Sequence, residues 1–161
     1  MEYIRYWFKN ITEFLFDNDG YLIDPESYYS EIYKNKAIML ESIVEKHEKS
    51  CVFFGDSGIG KSTEFCRLTD VCRKKSEKVF CYNFENYNEY YSFTKKDIDK
   101  IMSSGNKGLT YIVIDSIDER IENAEKMFDI LIDLYSNVVN ENLRLLLSCS
   151  TIYWSEKWAS I

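Results

Sequence analysis

Four short apolar runs constrain this chain more than any other feature. They are CVFF (51–54), KVFCYNF (78–84), LTYIVID (109–115) and LRLLLSC (143–149). None alternates apolar with polar residues, so each reads as a strand buried on both faces. The segments between them have helical rather than strand periodicity. In STEFCRLTDVCRKK (62–75), Phe65, Leu68, Val71 and Cys72 share one helical face. TKKDIDKIMSSG (94–105) reads as a helix with Thr94 as its cap and Gly105 as its stop. DERIENAEKMFDILIDLYSNVV (118–139) lines up Ile121, Met127, Ile130, Leu131 and Leu134 as another apolar stripe. Buried strands separated by helices form a mostly parallel sheet with both faces covered. The expected fold class is α/β, a three-layer sandwich with at least four core strands.

The chain's 161 residues leave room for one such domain. Residues 49–161 hold the strands, and residues 1–48 read as an N-terminal extension. Within the extension, Asp19-Gly20 and Asp24-Pro25 mark turns. Residues 35–48 carry Ile38, Met39, Ile43 and Val44 as a partial helical stripe. The net charge of −7 argues against a broad nucleic-acid surface. No apolar run approaches the ~20 residues a membrane-spanning helix needs. MEYIRYWFKNITEFLF has charges inside its apolar stretch, unlike a secretory signal. The five cysteines form no C-x-x-C pair, which suits reduced thiols and a cytoplasmic location. Cys51, Cys81 and Cys149 fall on or beside strands and read as small buried hydrophobes. His47 is the single histidine, which argues against a zinc site.

The loop after the first strand, GDSGIGKST, matches G-x-x-x-x-G-K-[ST] at Gly55, Gly60, Lys61 and Ser62. A diphosphate can sit in such a loop only if main-chain N–H groups reach its oxygens, which glycines permit. The cradle runs through Gly55, Asp56, Ser57, Gly58, Ile59, Gly60, Lys61, Ser62 and Thr63. Lys61 brings a positive charge to the β- and γ-phosphates, and the Ser62 hydroxyl brings a ligand for Mg²⁺. The helix that starts here points its positive end at the anion. A glycine-rich turn with a solvated lysine is the plainer alternative.

The third run delivers Asp115 to the carboxyl end of its strand, the edge where open parallel sheets bind ligands. A carboxylate there can hold Mg²⁺ opposite Ser62. Asp118 and Glu119 follow, and either can act as a general base toward an attacking water or as a helix-start acid. Glu119 looks more like the helix-start acid and Asp118 more like the base. Ser148 and Ser150 end the fourth strand, where a hydroxyl can sense a γ-phosphate, orient water or simply close a strand.

Together, GDSGIGKST, YIVIDSIDE and LRLLLSCSTIYW resemble the NACHT-type nucleotide-binding domain of STAND-class P-loop NTPases. The likeness is to the large bacterial proteins of antiviral defence against phage, and it covers residues 19 to 154. Ser116 and Asp118 match that family's small residue and following acid, and DGYLIDPES resembles the stretch that precedes its loop. The resemblance implies a module that binds ATP with Mg²⁺, hydrolyses it slowly as a switch, and assembles with itself or a full-length STAND partner. It also implies proline where Ser57 stands and an arginine where Ser150 stands; here that γ-phosphate-reading arginine is replaced.

The family's further strand and winged-helix region do not fit after Ser150 in a chain ending at Ile161. A truncated gene product or fragment is therefore expected. Its loop strand would need a cover from the first 35 residues, from Tyr153–Trp158 or from another subunit. The alternative function is a non-catalytic interaction module that keeps the loop and acts on a full-length partner. A GTPase would need N-K-x-D after the aspartate strand, whereas NKGL (106–109) precedes it and lacks the Asp. A small-molecule kinase would need an arginine-rich lid, and the five arginines do not cluster. NFENYNEYYSF (83–93) reads as a solvated connection.

Overall fold

The four apolar runs become four parallel strands in one sheet. In the computed structural model these are β3 (Cys51–Phe54), β4 (Lys78–Asn83), β5 (Thr110–Asp115) and β6 (Leu143–Cys149). The structure describes residues 6–7, 38–39, 42, 44, 50–56, 58–75, 78–97, 100–101, 109–119, 129–131 and 142–150. The order across the sheet is β3-β6-β5-β4, so β6 lies between the loop strand and the aspartate strand. All three pairings are parallel. Every residue of β5 is buried, which explains why its sequence shows no alternation.

The pleat divides the core. Ile112 and Ile114 of β5 join Leu143, Leu145, Leu147 and Cys149 of β6 in one cluster. That cluster also takes Tyr82, Phe84, Phe93, Ile101 and Leu131. On the other face α1 (Lys61–Lys75) packs across β4 and β5. Its buried stripe is Glu64, Phe65, Leu68, Thr69 and Cys72. Phe65 meets Phe53 of β3 edge-on at 5.4 Å between ring centroids. Helical segments therefore cover both faces, the three-layer α/β arrangement expected of a P-loop NTPase fold.

After β4 the chain turns at once into a short helix, α2 (Tyr87–Ser92), continued by a π-helical turn (Phe93–Asp97). Asn86 caps it by accepting the Asn88 N–H at 3.0 Å. Glu89, three residues past the cap, accepts from the Asn83 N–H at 2.6 Å and from Asn86 Nδ2 at 3.0 Å. This is an N-x-x-E capping signal inside the stretch read as a solvated connection. Thr94 is not a cap. Its hydroxyl donates to the carbonyls of Tyr90 and Tyr91 from within the helical run. The π turn seats Phe93 in the core, 5.0 Å from Tyr82 and 5.5 Å from Phe84 between ring centroids.

The chain divides into two units, Met1–His47 and Glu48–Ile161. In the first, β1 (Tyr6–Trp7) pairs antiparallel with β2 (Ile38–Met39). Ile38 and Met39 are thus strand residues, not the start of the helix expected over 35–48. Residues 42 and 44 are helical. An apolar β-branched residue opposite an aromatic strand partner satisfies its backbone in a pair rather than a turn of helix. The turns at 19–20 and 24–25, most of 118–139 and the Tyr153–Trp158 cover lie outside the described residues; 129–131 are helical.

Ile112 and Ile114 have no exposed surface. Ile112→Ala should destabilise the fold by about 2–5 kcal/mol through lost burial and a cavity. Phe54→Ser, at an exposed position, should change stability by under ~1 kcal/mol. Urea denaturation followed by circular dichroism measures both; equal losses would contradict the packing described.

Candidate functional site

One lateral row across the carboxyl ends of the strands builds the site. Ser148 pairs with Phe53, and Asp115 pairs with Asn83. The β5–β6 register pairs Ile114 with Leu147, so the next step sets Asp115 beside Ser148. The strand pairing runs on past these ends. Gly55 N–H donates to the Cys149 carbonyl at 3.3 Å, and Phe84 N–H to the Asp115 carbonyl at 3.0 Å.

On the α1 face of this row lies a cavity of about 160 Å³. Ser62, from the first turn of α1, and Asp115, from the end of β5, both line it. Phe65, Thr69, Cys81 and Glu89 are among its other walls. The cavity is larger than a single water needs. Among the described residues no group of three or more His, Cys, Asp or Glu is placed to hold a metal unaided.

The loop between β3 and α1 bends at two left-handed glycines. Gly58 and Gly60 have φ of 83° and 86°, where a Cβ would strain the chain. Gly55 is buried, Asp56, Gly58 and Ile59 are exposed, and Ser57 lies outside the described residues. Ser62 and Thr63 follow on the exposed side of the first helical turn. Lys61 does not reach into the cavity. Its ammonium folds back onto the loop, donating to the carbonyls of Gly55 at 2.6 Å and Asp56 at 2.9 Å.

Beyond Asp115 the chain reverses at Ser116, whose φ of 58° is left-handed. That conformation costs a non-glycine residue about 1–2 kcal/mol. The turn leads into a single helical turn over residues 117–119, closed by Glu119 N–H to the Ser116 carbonyl at 3.1 Å. Ile117 is buried and Glu119 exposed. Asp118 keeps one buried carboxylate oxygen, Oδ1, with no hydrogen-bond partner among the described residues. Glu119 has no such buried oxygen, so the two acids read from the sequence stand in different surroundings.

Cys149 lies within the electrostatic reach of both Asp118 and Lys61. Burial pushes its thiol up to about 12, the Asp118 carboxylate pushes the same way, and the Lys61 ammonium pulls it down. Cys72 is likewise raised to about 12, mainly by burial. Cys51 and Cys81 are half-buried rather than fully buried. Sequence reasoning missed Glu89 and Thr69 as walls of the cavity. The Asn86-to-Glu89 spacing was the available signal for the first; the second needs the α1–β4 contact.

No protein-family model and no curated protein matches this chain. Among solved structures it is similar to PCH-2 of C. elegans, with a TM-score of 0.49 and 16% identity. The match covers 74% of this chain and 37% of that one. The fold class stands on the strand order and register given above. Among the described residues no helix is long and apolar enough to cross a membrane.

Two outcomes follow from the thiols. Asp118→Asn should lower, and Lys61→Ala should raise, the pH at which Cys149 is alkylated by iodoacetamide; mass spectrometry reads the site, and unchanged profiles would show that neither charge lies near it. Cys72 and Cys149 titrate at about 12 folded against 9.0 for a free thiol. The raised folded values make their contribution complete below pH 9 and lost as pH rises toward 12. Urea midpoints should fall over that window, and less steeply in Cys149→Ala.

Proposed function

We propose that Glu48–Ile161 is a nucleotide-binding module that takes ATP with Mg²⁺. The observation that carries this reading is the shared cavity of Ser62 and Asp115 at the carboxyl edge of a parallel sheet. Beside it is a loop of left-handed glycines at a helix N-terminus. In this reading the main-chain N–H groups from Gly55 to Thr63 cradle the phosphates. Lys61 exchanges two loop carbonyls for phosphate oxygens. Ser62 and Asp115 would hold the ion, whose positive charge would offset the negative charge of the phosphates. Asp118 takes the proton of the attacking water, and its unpartnered buried oxygen supports that role. Glu119, exposed, starts the helical turn and assists at most.

The D-S-x-D-E pattern supports a switch of the STAND type with a NACHT-like domain, acting in antiviral defence, cytoplasmic, and assembling with copies of itself or a full-length partner. Ser150 favours a second reading, in which the module binds nucleotide without turning it over. This residue is buried and supplies no cation at the strand end where the resemblance implies an arginine. Calorimetry and phosphate release separate the readings. Lys61→Ala should abolish Mg-ATP binding; undiminished affinity would refute the loop assignment. Asp118→Ala should lower phosphate release by about 10²–10⁴-fold, the usual worth of a general base. Release at background in the unaltered chain selects the non-catalytic reading.

A further inference from the structure

We propose that Ser148 is a positioning residue that commits one oxygen of Asp115 and leaves the other to the cation. The proposal rests on the nucleotide reading above and assigns Ser148 a role distinct from sensing phosphate.

Ser148 has no exposed surface, 0% of its residue area. Its hydroxyl makes two bonds on the neighbouring strand. The Ser116 N–H donates to Oγ at 2.8 Å, and Oγ donates to Asp115 Oδ1. The direction of both bonds is forced. A backbone amide only donates, an ionised carboxylate only accepts, and a serine hydroxyl has a single proton. That proton therefore belongs to Asp115. None is left to offer a γ-phosphate, so the sensing role considered for Ser148 does not suit this hydroxyl.

Three consequences follow. One carboxylate oxygen of Asp115 is tied to β6, and Asp115 lines the cavity shared with Ser62. A hydrogen bond at one oxygen restricts how the carboxylate can turn toward a cation. The same hydroxyl pins the Ser116 amide, so the left-handed turn toward Asp118 and the orientation of Asp115 depend on one group 33 residues away in sequence. Outer-shell partners of this kind typically alter metal affinity by 10–100-fold when removed.

The test uses the full chain, with calorimetric ATP binding measured as MgCl₂ is titrated. Ser148→Ala should leave metal-free ATP affinity within about twofold and raise the Mg²⁺ midpoint by about tenfold or more. Ser148→Thr and Ser148→Val have nearly the same volume and differ in the hydroxyl. Thr should restore the midpoint to within about threefold and Val should not. Midpoints that agree between Thr and Val, or between Ala and the unaltered chain, overturn the proposal. So does failure of both Ala and Val to fold while Thr folds and binds normally, which would make the role structural alone. If the unaltered chain shows no Mg²⁺-dependent ATP binding, the nucleotide reading falls first and this inference falls with it.

Discussion

The register between β5 and β6 decides whether this molecule has a site at all. Side chains alternate along each strand, so a slip of one residue would turn Ser148 and Asp115 to opposite faces. In the observed register they stand side by side on the face that α1 covers, with Phe53 and Asn83 completing the row. Large buried residues enforce that register. Ile112, Ile114, Leu145 and Leu147 share one cluster on one face, and a one-residue slip of either strand would break it up. Packing on one face of the sheet thus positions chemistry on the other.

Strand order does the rest of the positioning. With β6 between β3 and β5, the loop and the aspartate are separated by a strand width, and Ser62 reaches back across from the first turn of α1. The helix must cross the sheet for this, and Phe65 against Phe53 ties its start to the loop strand. Among the described residues β3 and β4 each have one strand neighbour, so the loop strand is one edge of the sheet. Its last residue, Phe54, has an exposed side chain beside the loop.

Charge is arranged sparingly around the row. Lys61 is held by carbonyls, Asp115 by one hydroxyl, and Asp118 carries a buried oxygen with no described partner. Satisfied groups resist rearrangement, whereas an uncompensated buried oxygen is a standing cost. Cys149 registers this balance, because burial, the Asp118 carboxylate and the Lys61 ammonium all act on its thiol. The site and the core therefore share residues rather than lying in separate parts of the molecule.

The four strands, the helix over 61–75, the parallel class and the loop's glycines were legible in the residues alone. Each depends on local pattern: uniform apolar runs, a 3.6-residue stripe, and glycine where φ must be positive. The helix start at Tyr87 was also written locally, in Asn86 and Glu89, but aromatic and acidic residues masked it. Other features were not legible in any window of sequence. The pairing of Ile38–Met39 with Tyr6–Trp7, the proximity of Cys149 to Asp118 and Lys61, and the Ser148–Asp115–Ser116 clamp all join distant segments. Local propensity determined the elements; which hydroxyl meets which carboxylate was decided only when packing chose the strand order and register.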